Sequence, residues 1–319
     1  MSSDVTYRLA REDDLSAMRL IQSTALYDLV VTRSGRKPSA MPITDEPSTE
    51  MRHLLQTDPK LAWIAIEDSR PIGLSVGFVR NKLWFLADLF VLPEAHSKGV
   101  GGELLKRCLA GGLERGARIL AVASSHDQSA QALYIRAGMV PRFPLLGIEG
   151  AAGRLRDLPS PTAPAKETIK QAVPSKAWIR RLGDLDEITW GRRRDGEHRF
   201  WLGEYKFSCL AITDASGGLL AYAYYSSPAS RPPWNRESYR IGPVAARSAR
   251  QQLSLLRAIG GAISAQEGAT IEFQVPGINM SALRALLGAG FRIDRVGQFM
   301  ASRTFGRFDR YLPSGGTLL

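Results

Sequence analysis

Three groups of residues in this 319-residue sequence have the types and spacing to do chemistry. The first is the glycine cluster Gly99-Val100-Gly101-Gly102. It lies between the apolar run Leu86-Ala87-Asp88-Leu89-Phe90-Val91 and a segment where Leu104, Leu105, Cys108 and Leu109 recur at helical spacing. A strand, a glycine-rich turn and a helix start together bind phosphate. Glycine lets a ligand approach the backbone, while unpaired N–H groups and the helix dipole favour anionic charge. An ordinary tight turn has the same composition, so the pattern by itself does not decide between them. The second is Asp88, an aspartate in a strand interior that disfavours it. Partial burial there raises a carboxyl pKa toward the range of a general base. The same carboxylate is equally able to orient an acceptor ammonium or to pair with an arginine. The third is Gly191-Arg192-Arg193-Arg194-Asp195-Gly196-Glu197-His198-Arg199, flanked by Trp190 and Trp201. Basic and aromatic residues interleaved in this way fit an acidic or aromatic ligand, or nucleic acid. Asp195 and Glu197 make a self-paired loop the simpler reading. His96 reads as a phosphate-facing or solvent-exposed histidine, and His126 as a loop histidine. Cys108 and Cys209 sit in apolar segments without metal or redox spacing.

The surrounding elements follow from pattern. Tyr7 to Leu9 reads as a strand, and Glu12-Asp13-Asp14 as an acidic helix start before Leu15, Met18 and Ile21. That helix is expected to run to about Val31, followed by a proline-bearing loop over 33–48 and a short helix from Ser48 to Gln56. Leu61–Ile66 and Pro71–Val79 read as a hairpin of strands, and Leu83–Leu86 leads into the apolar run. A helix is expected over Gly101–Glu114, a buried strand over Ile119–Ala123, and a helix from the N-cap Asp127 to the C-terminal glycine Gly138. Residues 151–176, with Pro159, Pro161, Pro164 and Pro174, read as a linker.

Composition bounds the possibilities. A hydrophobic fraction of 44% and a charged fraction of 23% are ordinary for a globular chain, and the length suits two domains. No apolar run is long enough to span a bilayer, and the N-terminus lacks an apolar signal core. The expectation is a reduced, cytoplasmic protein. The net charge of +11, from 42 basic and 31 acidic residues, favours anionic ligands. No basic tail, zinc-ligand spacing or RNA-recognition signature accompanies it, so neither a nucleic-acid partner nor a metal is expected.

Val91 followed by His96-x-x-Gly99-x-Gly101 resembles the acetyl-CoA pyrophosphate loop of the GNAT family of N-acetyltransferases, Q/R-x-x-G-x-G/A, with His96 in the place of Gln or Arg. Asp127-x-x-Ala130-x-x-x-Tyr134-x-x-x-Gly138-Met139 resembles the family's second signature, N-x-x-A-x-x-x-Y-x-x-x-G-F, with Asp127 for Asn and Met139 for Phe. The opening strand, acidic turn and helix are also similar to the start of GNAT domains, and the 33–48 loop matches the segment that covers the acceptor side. The resemblance implies an α/β fold with a mixed sheet that splays open after the apolar strand. It also implies acetyl-CoA as acyl donor and direct transfer to a primary amine, without an acyl-enzyme. Leu89, Phe90 and Val91 along the strand, His96, Ser97, Lys98, Gly99, Val100, Gly101 and Gly102 in the turn, and Asp127 and Tyr134 are the implied cofactor contacts. Tyr134 is the implied general acid at the leaving sulfur, and Asp88 the implied base. Arg136 is placed where it could reach the adenosine 3′-phosphate or simply face solvent.

The pattern then restarts. Trp178 to Ile188 echoes the opening strand and acidic helix, and Pro243–Gly290 can be laid without gaps on Val91–Gly138. That register puts Asn279 on Asp127, Gly268 on Gly116, and Gly290 on Gly138. It also puts Gln251 and Leu253 at the places of Gly99 and Gly101, and Leu286 at that of Tyr134. The expectation is two tandem GNAT-like domains: a catalytic one over 1–150, the linker over 151–176, and a degenerate copy over 177–319. The tandem layout resembles mycothiol synthases in architecture alone. An amine acceptor, small molecule or peptide, and a monomeric or homodimeric state complete the reading. The alternative is a non-catalytic protein that binds or senses acyl-CoA.

Overall fold

Residues 4–32, 42–159, 167–227, 230, 238–263 and 268–318 are described by the computed structural model of this chain. They fall into two units, the first Met1–Val140 with Met300–Arg303, the second Pro141–Phe299 with Thr304–Leu319.

In the first unit, β1 (Thr6–Leu9), β2 (Ala62–Glu67), β3 (Arg70–Arg80), β4 (Leu83–Val91) and β5 (Ile119–Ser124) lie side by side in that order. The pairs are antiparallel until β4 meets β5, which is parallel. A parallel pair needs a crossover, and α3 (Val100–Glu114) supplies it. The two hairpins turn through Asp68-Ser69 and Asn81-Lys82, all at positive φ, the geometry whose twist matches that of the flanking strands. The other helices are α1 (Leu15–Tyr27), α2 (Thr49–Thr57) and α4 (Gln128–Arg136). Past Tyr27 the expected helix widens into a π turn, Asp28–Thr32. Ser48 caps α2 by accepting from Met51 N–H, and Asp127 caps α4 by accepting from Ala130 N–H. Of the expected acceptor-side loop, residues 33–41 lie outside the described residues.

The core beneath this sheet gathers Leu61, Trp84, Leu86, Leu105, Cys108, Tyr134 and Met139. Trp84 is fully buried because α3 offers no side chain at Gly112, where a Cβ would stand 2.3 Å from the indole. Cys108 donates to Leu61 O at 3.2 Å, and burial pushes its thiol up to about 12, so it is a core residue and no nucleophile.

Two features of β4 position the site. Gly77 pairs with Leu86 and Val76 with Asp88, so Ala87 is an extra residue, a β-bulge. Pairing with β5 stops at Leu86–Val122. Beyond that point β4 pairs with β3 through Gly73 to Val76, and among the described residues no strand pairs with its other edge.

The second unit repeats this plan. β7 (Thr168–Gln171), β8 (Ser208–Thr213), β9 (Leu219–Tyr225) and β10 (Ser238–Ala246) are antiparallel neighbours, and β10 pairs in parallel with β11 (Thr270–Pro276). β6 (Val140–Ala151) and β12 (Arg292–Ala301) extend the sheet beyond β11, and the short β13 (Tyr311–Leu312) pairs with β10. Its helices are α5 (Lys176–Thr189), α6 (Asp195–Leu202), α7 (Ala249–Ile263) and α8 (Met280–Gly288).

Several expectations change here. The units are not simple halves of the sequence. From Pro141 onward the strand that follows α4 belongs to the second unit, and Met300–Arg303 belongs to the first. There Ser302 N–H donates to Leu120 O at 2.9 Å, and Ser302 Oγ accepts from Leu120 N–H at 3.0 Å. The proline-rich 151–176 stretch is not an open linker either. Ala152–Asp157 is a 3-10 turn whose Ala152 and Leu155, with Leu158, are buried in the second core, and Thr168–Gln171 is an edge strand. Residues 160–166 lie outside the described residues. Trp178–Ile188 is helical throughout, because its apolar residues Ile179, Leu182 and Leu185 recur every three residues; β7 takes the edge-strand role instead. Among the described residues, no helix is long and apolar enough to cross a membrane.

Candidate active site

Asp88 sits just past the bulge, where β4 loses its β5 neighbour, and is only 4% exposed. Its Oδ1 accepts from Gln22 Nε2 at 2.9 Å, and Gln22 Oε1 accepts from Arg19 Nη1 at 2.6 Å. Its Oδ2 is buried with no hydrogen-bond partner among the described residues. Burial pushes the carboxyl up to about 7. The Gln22 hydrogen bond and the Arg19 charge oppose that rise, and the Glu50 charge adds to it. A carboxyl balanced near neutrality with one free oxygen is equipped to take a proton at physiological pH. Its direct partner is an amide rather than an arginine, which removes simple ion pairing from the three roles open to it.

Gln22 and Arg19 carry no sequence signal, being a polar pair on one turn of α1. Their effect is specific. Because the Gln22 amide stabilises the ionised carboxylate, Gln22→Leu is expected to move the acid limb of the kcat/KM profile to higher pH. A fall in rate of about tenfold, the worth of one hydrogen bond to a charged group, should accompany it. Steady-state kinetics from pH 5.5 to 9 would check both.

The turn after β4 has the shape of an anion cradle. Ser97 and Gly99 adopt positive φ, 65° and 80°, and Gly99 is the N-cap of α3. A Cβ on Gly99 would meet nothing within 4 Å, so its conformation, not crowding, calls for glycine. Cβ atoms on Gly101 and Gly102 would lie at ordinary distances from Val91 and Leu133, 3.6 Å or more. Open space at Gly99 and the first N–H groups of α3 fit a phosphate held by backbone. The side chains of the turn are engaged elsewhere: His96 Nε2 lies 3.0 Å from Val91 O, and Lys98 Nζ pairs with Glu67 at 2.9 Å. Leu89, Phe90 and Val91 are half-buried along the open edge.

Tyr134, on α4, is buried. Burial, then the charges of Asp127 and Asp88, push its phenol above its ordinary range, so it stays protonated. Asp127 acts as an N-cap, accepting from Ala130 N–H at 2.8 Å, a structural role.

Residues 26–139 match the family model described as "Acetyltransferase (GNAT) family". That segment, about a third of the chain, is similar to the GNAT family. Solved structures similar to the whole chain carry the same fold at low identity. A putative acetyltransferase from Pyrococcus horikoshii is 16% identical, with 99% of this chain and 96% of that one covered and a TM-score of 0.71. A GCN5-related N-acetyltransferase from Sphaerobacter thermophilus is 16% identical, with 94% and 96% covered and a TM-score of 0.62. A tandem GNAT protein from the clavulanic acid biosynthesis pathway is 14% identical, with 94% and 99% covered and a TM-score of 0.61. No match is found among curated proteins. The fold is therefore α/β, with a mixed sheet in tandem GNAT architecture.

The second GNAT-like unit does not repeat this arrangement of residues. Its gapless register on the first holds at the helix caps, where Asn279 accepts from Ala282 N–H as Asp127 does from Ala130 N–H. It fails at the cradle. Strand β4 and helix α3 are joined by residues 92–99, whereas β10 and α7 are joined by Arg247-Ser248 alone. Gln251 and Leu253 thus lie inside α7, not at the glycine places, because the phosphate turn has been shortened out. Pairing about the β10 irregularity puts Val244 where Asp88 stands, and the buried Leu286 takes the place of Tyr134.

The arginine cluster is partly internal, and not all loop, since Asp195–Leu202 is α6. Arg194 is fully buried. Its Nε donates to Asp186 Oδ2 at 2.7 Å and its Nη1 to Tyr311 OH at 2.7 Å. His198 Nε2 lies 3.0 Å from the same Asp186 oxygen, Tyr224 OH contacts His198 Nδ1 at 2.9 Å, and Tyr222 OH donates to Asp186 Oδ1. Arg193 pairs with Asp184 and Asp195. Asp186, Arg194 and His198 thus form a hydrogen-bonded network in the core.

Proposed function

We propose that the first unit is an acetyl-CoA-dependent N-acetyltransferase acting by direct transfer on a primary amine, and that the second unit is non-catalytic. The observation that carries this reading is Asp88 Oδ2, without a hydrogen-bond partner among the described residues and buried where β4 opens beside the Gly99 turn. The open edge of Leu89 to Val91 suits the pantetheine arm, which has amide groups to pair with a strand, and the cradle from Lys98 to Gly102 suits the diphosphate. The bound donor supplies an activated thioester carbonyl. Asp88 accepts a proton from the acceptor ammonium at Oδ2, freeing the amine lone pair. Gln22 and Arg19 keep Oδ1 occupied, so that Oδ2 is the oxygen presented. As the C–N bond forms and the C–S bond breaks, Tyr134 gives its phenolic proton to the departing sulfur, and the second proton shed by the acylated nitrogen returns through solvent to the phenolate. The acceptor is an amine on a small molecule or peptide, and a carboxylate at Asp88 suits its cationic form.

Calorimetry with acetyl-CoA on the wild type and on Gly99→Glu, followed by an acetylation assay over a panel of amines, tests this. One site per chain is expected. Gly99→Glu should weaken binding by about 100-fold or more, because it forces a side chain into the left-handed region and sets a carboxylate beside the diphosphate. Two sites would overturn the assignment to the first unit alone. Binding without turnover on any amine would support a sensor, and no binding would remove the cofactor reading.

A further inference from the structure

The second unit contains the same opening in its sheet as the first, and something fills it. Pairing of β10 with β11 ends at Ile241–Phe273, as that of β4 with β5 ends at Leu86–Val122. Past that point β10 bonds to β9 on one side, through Val244–Ala223 and Ala245–Tyr222. On its other edge, β13 pairs antiparallel with the same two residues, Leu312 with Val244 and Tyr311 with Ala245. β13 also packs against β11, so it lies in the gap between the two parting strands.

The segment is held at every level. Ala246 N–H donates to Arg310 O at 3.2 Å, and Arg310 Nη1 donates to Arg247 O. Tyr311 and Leu312 are completely buried, and the Tyr311 hydroxyl accepts from the buried Arg194. Gly242 adopts φ 140°, and a Cβ there would stand 2.1 Å from Pro313 O, so the floor of the gap is bare backbone shaped to the segment. A sheet edge opened inside a core must have its N–H and C=O groups satisfied. In the first unit no strand pairs with the matching edge among the described residues.

We infer that the C-terminal segment around Tyr311-Leu312-Pro313 is a built-in strand ligand of the second unit, held in the opening that the first unit leaves free. The opening in the second unit is therefore a peptide-strand site, selective for an extended segment with an aromatic residue followed by an apolar one. This is β-strand addition, with donor and acceptor on one chain. It does not depend on the first unit being an enzyme.

Two measurements on the full chain test it. In the wild type, the backbone amides of the Tyr311–Leu312 segment should exchange hydrogen at least about 100-fold more slowly than an unstructured peptide, in step with β9 and β10. Exchange at the rate of a loose tail would overturn the inference. In the double variant Tyr311→Ala/Leu312→Pro the segment is released. The melting temperature should fall by about 5 °C or more, and a synthetic peptide of residues 307–318 should bind one per chain and restore it. The same peptide carrying both substitutions should do neither. An unchanged melting temperature, or no binding by the wild-type peptide to a folded variant, would overturn it. If the variant does not fold, the exchange measurement on the wild type decides.

Discussion

Asp88→Asn is expected to lower kcat for amine acetylation by about 10²–10⁴, the usual contribution of a positioned general base, while acetyl-CoA affinity changes little. Asparagine keeps an oxygen to accept from Gln22 Nε2 but cannot take the proton. The wild-type kcat/KM should rise with pH through about 7, where burial places this carboxyl, and the variant should lose that limb. Stability should move the opposite way. A carboxyl raised from its unfolded value near 4 to about 7 favours folding fully below pH 4, and that advantage disappears as pH climbs through 7. At pH 8 the wild type therefore carries an ionised, desolvated group that the variant lacks. Asp88→Asn should be more stable there, by about 4 kcal/mol at most, with the difference shrinking toward pH 5. Thermal melts at the two pH values, beside the rate profiles, check this. Loss of rate together with loss of stability at pH 8 would mark Asp88 as structural.

The second large effect lies in the other unit. Asp186→Ala should destabilise it by about 3–5 kcal/mol, because Arg194 would keep its charge in a dry core with its acidic partner gone. Burial alone would raise the Asp186 carboxyl. The Arg194 charge, then that of His198 and the hydrogen bonds from both, outweigh burial and bring it down to about 2. A depressed carboxyl stabilises the fold above its unfolded value near 4, and that stability is lost as pH falls through 2. The variant's deficit should therefore be full at pH 6 and much reduced near pH 2.5. Trp190 and Trp201 lie against the Arg194 guanidinium, at 4.6 and 5.2 Å, so denaturant titration followed by tryptophan emission reports on this core. Replacing the pair together, as Asp186→Leu/Arg194→Met, should recover much of the loss. Equal stability of Asp186→Ala and the wild type would show that the network carries no net stabilisation.

What the sequence made legible is the machinery carried by short local patterns. The apolar strand, the glycine turn, the capped helix of Tyr134 and the odd strand aspartate all depend on neighbours within one or two turns of chain. The structure places them as the pattern implied. Gln22 escaped because nothing about a glutamine on a half-buried helix announces a partner 66 residues away. The second unit escaped for a different reason. A gapless register preserves caps and glycines from Gly268 onward, yet a shortened turn between β10 and α7 shifts the strand by four residues against it. Pairing, not spacing, exposes that slip. Proline content misled over 151–176, where Leu155 and Leu158 are core contacts, and Arg194 read as part of a self-paired loop because its acidic and phenolic partners are scattered along the chain.

The bond pair between Leu120 and Ser302 spans 182 residues. On the ribosome, at about 5–20 residues per second, the first sheet waits roughly 10–40 seconds for the piece that closes its β5 edge. Through that interval the nascent chain holds an unpaired strand edge, the kind of surface that recruits other strands or a chaperone. Evolution of the second copy is accordingly constrained even without chemistry of its own, because a nonsense codon anywhere before position 302 removes part of the first.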